Sequence, residues 1–107
     1  MKVTAKRINR SLTLQLQGDL DHHAAKETMT EIDRSLDVAL PLRTELDLSG
    51  VSFMDSSGIA VILRLYKRMQ NLGGSIKVTH VPEQALRVLK TAGIGTIVTI
   101  EEGGSKQ

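Results

Sequence analysis

The sequence predicts an α/β domain built on one mixed sheet of about five strands, with helices packed mainly on one face. Two observations carry this. Stretches of alternating polarity are interleaved with stretches whose apolar residues recur every three or four positions. Their order, β-β-α-β-α-β-α-β, sets strand–helix–strand units in series, which favours parallel neighbours and right-handed crossovers.

"VTAKRINRSLTLQLQG" reads as two strands around a turn at Asn9–Arg10. Leu12, Leu14 and Leu16 alternate with Thr13, Gln15 and Gln17, a half-buried strand pattern that Gly18 should end. In "DHHAAKETMTEIDRSLDVAL" the period changes. Ala25, Thr28/Met29, Ile32 and Leu36 fall on one helical face, with Asp21 as N-cap and Pro41 as the stop. "RTELDLSGVSF" supplies a buried extended segment through Leu46, Leu48, Val51 and Phe53, with a break near Ser49–Gly50.

A second helix follows, with Ile59, Ile62, Leu63, Tyr66 and Met69 as its core stripe and Gly73–Gly74 as its stop. At ~100° per residue, Ser57, Val61, Arg64 and Arg68 share the opposite arc, which on periodicity alone reads as a solvated basic face with one valine. "SIKVTH" is a short strand. "VPEQALRVLKTAG" is a third helix, with Pro82 suited to the first helical position and Gly93 to the C-cap. "TIVTI" closes the sheet, and 101–107 reads as a flexible tail. Residues 1–107 form one domain without internal repeats or linkers.

A chain of 107 residues suits a single core, filled here by Leu, Ile, Val and Met because Phe53 and Tyr66 are the only aromatics. The absence of cysteine removes disulfides, thiolate nucleophiles and cysteine zinc sites. "MKVTAKRINR" lacks a signal-peptide core, and the longest apolar run, Ile59 to Leu63, is far shorter than a membrane helix. A cytoplasmic protein with no membrane partner is the expectation. Basic residues exceed acidic ones only as 14 to 12 and are interspersed with them, so direct nucleic-acid binding is not expected.

Chemistry concentrates in "FMDSSGIAVIL", residues 53 to 63. Asp55, Ser56 or Ser57 can cap the following helix, a job that needs only one of them. A hydrolase nucleophile lacks the G-x-S-x-G elbow, and His22–His23 reads as a solvated first helical turn. The glycine spacing fits neither phosphate-loop pattern, and acids at 19, 21 and 55 fit no calcium loop. A serine that accepts a phosphate remains. Phosphoserine carries ~−1.5 to −2 charges and suits a helix N-terminus, yet a partner packed over it would meet a charge it could not solvate. Chain order places the "GDLD" loop, with Asp19 and Asp21, beside these serines at the carboxyl ends of the strands.

"GDLDHHAA", "LDLSGVSFMDSSGIAVILRLYKRMQNLGGSIKV" and "LKTAGIGTIVTI" together resemble the anti-sigma factor antagonists, bacterial single-domain proteins of the STAS fold, nearest to the sporulation stage II AA type. The resemblance implies a non-enzymatic partner switch. The unphosphorylated antagonist binds an anti-sigma factor that is itself a serine kinase, and so frees a sigma factor. Phosphorylation releases the antagonist, and a serine phosphatase resets it. The chain itself needs no cofactor; ATP or ADP belongs to the kinase.

In the family's D-S-[ST]-G motif the acceptor precedes the glycine, which makes it Ser57 here, with Ser56 left for local capping. Asp21 matches an acid associated with partner contact. The expected partner-binding set is Asp21, Asp55, Ser56, Ser57, Gly58, Val61 and Arg64. Ala60 stands where relatives often carry glycine, and is small enough for close approach. The free protein is expected to be a monomer. STAS domains also serve stress signalling and transporters, which leaves an interaction module of another pathway, including one that binds a small ligand, as the alternative.

Overall fold

Leucines on one side of β2 set the layout. In the computed structural model, which describes residues 1–103, β1 (Lys2–Ile8) and β2 (Ser11–Leu20) form an antiparallel hairpin about Asn9, whose φ is +56°. β3 (Arg43–Met54), β4 (Ser75–Val81) and β5 (Thr99–Glu102) then add in parallel, giving a five-stranded sheet ordered β1-β2-β3-β4-β5. Leu12, Leu14 and Leu16 are buried, whereas Ser11, Thr13 and Gln15 between them are half-exposed.

Because each parallel strand lies on the same side of its predecessor, right-handed crossovers place every helix on one face. α1 (His22–Ala39), α2 (Ser56–Asn71) and α3 (Glu83–Thr91) cover the leucine face and share one core with it. Polar groups of β2, β3 and β4 remain on the open face. The α1 stripe is Ala25, Thr28, Ile32 and Leu36, as its spacing predicts. α1 ends at Leu40 in a left-handed conformation just before Pro41.

Several expectations are corrected. β2 does not stop at Gly18; the strand passes through it at φ +113° and continues to Leu20. β3 continues through Gly50, whose missing side chain lets Leu16 and Gln17 pack closely against it, but the expected break near Ser49–Gly50 is present as a bulge, since Gln15 pairs with Asp47 and Gln17 with Gly50. Ser52 is the extra residue of a bulge, since Val51 pairs with Gly18 and Phe53 with Asp19. The bulge reverses the alternation, so Met54 is fully buried and Phe53, expected in the core, is 45% exposed.

On α2 the buried residues are Gly58, Val61, Ile62, Leu65 and Met69, a stripe displaced from the expected one. Leu63, expected in the core, is exposed. Val61, expected on the partner surface, is 1% exposed and packs in the core. Five successive apolar residues, 59 to 63, make two helical faces look equally apolar in sequence. Pro82 is the N-cap residue of α3 rather than its first helical residue. Gly93, in left-handed geometry, follows the cap Ala92 and leads into a short 3-10 turn at Ile94–Thr96. The last strand therefore begins at Thr99, not Thr96, and contains Glu101 and Glu102, which the tail was expected to include; 104–107 lie outside the described residues.

Val61→Asp should abolish cooperative folding, because an unpaired charge in this core costs several kcal/mol. Leu63→Asp, two residues away, should leave the urea midpoint nearly unchanged. A folded Val61→Asp variant would overturn the α2 packing.

Candidate functional site

The carboxyl ends of β2 and β3 and the start of α3 meet on one rim, and hydrogen bonds fasten all three. Leu20 and Met54, the last residues of β2 and β3, are register partners. The Asp55 amide then donates to the Leu20 carbonyl at 3.3 Å. β4 is paired with β3 only as far as Asp47–Thr79, so Met54 has no β4 neighbour in the ladder. The Gln84 side chain fills that place. Its Oε1 accepts from the Met54 amide and its Nε2 donates to the Met54 carbonyl, both at 2.8 Å. A carboxamide carries both a donor and an acceptor, so it can mimic a strand edge.

Asp55 holds the rim together. It is the N-cap of α2, with Oδ1 accepting from the Ser57 amide at 2.8 Å. Its Oδ2 accepts from the His22 amide at 3.1 Å, in the first turn of α1. One carboxylate thus serves the N-termini of two helices, where orphan N–H groups and both macrodipoles favour negative charge. The Ser57 amide above all, then the His22 amide, the Ser57 hydroxyl and the nearby His22, outweigh desolvation and hold the Asp55 carboxyl below the usual carboxylate range. Asp21 caps α1 in the same manner, accepting from the Ala24 amide at 3.0 Å.

The expected residues occupy different places around this centre. Asp21, Asp55, Ser56 and Ser57 are all at the rim. Ser56 was expected to cap; the cap is Asp55, and Ser56 is instead the exposed first residue of α2. Ser57 is partly exposed. Gly58 is buried, and a side chain there would strike Met54, so Gly58 shapes the turn and offers no surface.

Arg64 and Arg68 face α1. Arg64 grips Asp33 Oδ2 through Nη2 at 2.7 Å and Nε at 3.1 Å, while Arg68 bridges Asp33 and Asp37 at 3.1 and 2.6 Å. Of the arc Ser57, Val61, Arg64 and Arg68, Val61 is buried and Arg68 is drawn to the neighbouring helix, while Ser57 is partly exposed and Arg64 stays exposed. The exposed face of α2 is instead Ser56, Ala60, Leu63 and Lys67, at helical spacing. Gln84 and this face are what sequence reasoning missed. The i, i+4, i+7, i+11 spacing was the available signal for the face; nothing local marks Gln84.

The chain belongs to the STAS domain family, whose model matches residues 2–103. It is similar to an anti-sigma F factor antagonist of Paenibacillus polymyxa, 34% identical over 83% of this chain and 76% of that one. An anti-sigma-B factor antagonist of Bacillus subtilis (strain 168) is 26% identical over 97% and 96% of the two chains. The structure of the anti-sigma factor antagonist SpoIIAA in its unphosphorylated form superposes with TM-score 0.78 at 21% identity, covering 92% of this chain and 87% of that one. The phosphorylated form of SpoIIAA from Bacillus gives 0.70 at 20% identity, covering 92% and 90%.

A carboxyl held low in the fold stabilises it fully above the unfolded value of 3.8 and ceases to do so as pH falls through the folded value. Asp55→Ala should therefore be less stable than the natural protein at neutral pH, with the two urea midpoints converging as pH drops below 3.8. A gap that persists unchanged at low pH would mean that the Asp55 charge does not hold the rim.

Proposed function

We propose that the chain is an anti-sigma factor antagonist switched by phosphorylation of Ser57. The observation that carries this reading is the position of Ser57: partly exposed, at the start of α2, with its amide on the Asp55 cap. The names of the relatives and the two SpoIIAA forms support it. The unphosphorylated rim, continued by Ala60 and Leu63 on α2, docks on an anti-sigma factor with serine kinase activity. That partner holds the ATP or ADP. Transfer to Ser57 ends the complex, and a serine phosphatase restores the rim. The chain is a substrate, working in the cytoplasm, and does no chemistry of its own.

The physics of release follows from Asp55. A phosphate on Ser57 sets ~−1.5 to −2 charges beside the Asp55 carboxylate that caps the Ser57 amide. The helix N-terminus returns only ~0.3–1 kcal/mol. Moving binding from 99:1 to 1:99 takes ~5.5 kcal/mol, so most of the penalty must arise against the partner, through desolvation and repulsion.

Incubation with an anti-sigma kinase and ATP, followed by phosphopeptide mapping, tests this. One phosphate on Ser57 is expected, with none on the Ser57→Ala variant, which should still bind. Ser57→Asp and Leu63→Asp should each weaken binding at least about tenfold, ~1.4 kcal/mol, with unchanged circular dichroism. Asp21→Asn keeps the α1 cap and removes a charge, so slower phosphorylation would assign Asp21 to recognition. Phosphate on Ser56 alone, or undiminished binding by the phosphorylated protein, would overturn the reading.

A further inference from the structure

The open face of the sheet carries a second cluster, remote in sequence from the serine turn. Glu45 and Asp47 project from the same side of β3, two residues apart, and Thr79 and His80 approach from β4. His80 Nδ1 lies 3.6 Å from Asp47 Oδ2 and 4.0 Å from Glu45 Oε2. One donor atom from each of the three residues falls within 4.8 Å of the others. The imidazole comes from a separate strand, at a register shift between Val78 and Val81 where His80 adopts φ +53°.

We propose that Glu45, Asp47 and His80 form a binding site for a divalent first-row transition-metal cation such as Zn²⁺. Bonds of about 2.0–2.2 Å to nitrogen and oxygen place neighbouring ligand atoms of a tetrahedral ion about 3.3–3.5 Å apart. The 3.6 and 4.0 Å separations reach that geometry by small side-chain rotations. One imidazole with two carboxylates suits zinc and its neighbours better than calcium or magnesium, which favour all-oxygen sets. A fourth position would remain open to water.

Two features prepare the site. The outer partners are in place: Thr79 donates its hydroxyl proton to Glu45 Oε2 at 2.6 Å, Gln15 donates to Asp47 Oδ2 at 3.4 Å, and the Ser49 amide donates to Asp47 Oδ1 at 2.9 Å. Such bonds orient ligating carboxylates. His80 Nδ1, 3.1 Å from the Thr79 hydroxyl oxygen, would exchange that contact and its proton for the metal. The charge is also unbalanced. Among the described residues, neither Glu45 nor Asp47 pairs with a lysine or arginine, whereas Asp33, Asp37, Glu83 and Glu101 all do. Asp47 is 8% exposed, so its carboxylate lies buried beside a second carboxylate and an imidazole, with no lysine or arginine among the described residues to match them.

Calorimetric titration of the metal-free full chain with Zn²⁺ at neutral pH should show one saturable site, and Zn²⁺ should raise the melting temperature. His80→Asn tolerates the left-handed backbone while withdrawing the imidazole, and should lower affinity at least about tenfold. Asp47→Asn should do the same. Removal of the other two histidines, in the His22→Ala/His23→Ala variant, should leave binding unchanged. No saturable binding, undiminished binding by folded His80→Asn, or loss in the His22/His23 variant would each overturn the proposal. If Asp47→Asn fails to fold, exposed His80 decides.

Discussion

One-sided burial is the constraint on which this structure rests. The sheet has a leucine face and a polar face, and only the first can receive helices. Three right-handed crossovers must then lie side by side on it, and the loops that follow β2, β3 and β4 meet at one rim. Of the three helices that begin there, α1 and α2 start next to each other, each with orphan N–H groups to satisfy. Asp55 answers for both, its two oxygens divided between the Ser57 and His22 amides. The functional turn is thus a consequence of packing elsewhere, since the same burial that fills the core delivers the serines to the surface.

Much of this was legible in the chain. Period-two alternation in β2 and the Ala25–Thr28–Ile32–Leu36 stripe of α1 are unambiguous, because each segment is apolar on one side only. α2 is different. Residues 59 to 63 are apolar throughout, so local periodicity cannot tell which arc is inside, and Val61 and Leu63 exchange their expected places. The arbiter is tertiary: packing of α2 against α1 and the sheet buries Val61 and leaves Leu63 outside, while Arg64 and Arg68 reach across to Asp33 and Asp37 on α1. Phe53 was misplaced for another reason. A bulge at Ser52 shifts the phase of β3, and phase errors do not show in composition.

The candidate site was legible as residues but not as an arrangement. "MDSSG" marks the turn, and chain order brings the "GDLD" loop beside it. That Asp55, rather than a serine, is the cap follows from its position immediately before α2. Its second bond, to His22, depends on a residue 33 positions away, as does the Gln84 clasp on Met54, 30 positions away. Long-range bonds of this kind leave no local signature. Gln84 and the Leu20 carbonyl also hold Met54 and Asp55 independently of the serines.

The central claim is therefore that modification at Ser57 changes the charge of a rim that stays in place. Backbone amide exchange, compared residue by residue before and after phosphorylation of the purified chain, tests this most directly. The account predicts altered exchange confined to the amides of 20–24 and 54–61, where Asp55 bridges the two helices, and unchanged protection through the paired segments of β2, β3 and β4. Loss of protection across β3 or along the buried faces of α1 and α2 would contradict it, and would make the switch a rearrangement of the fold.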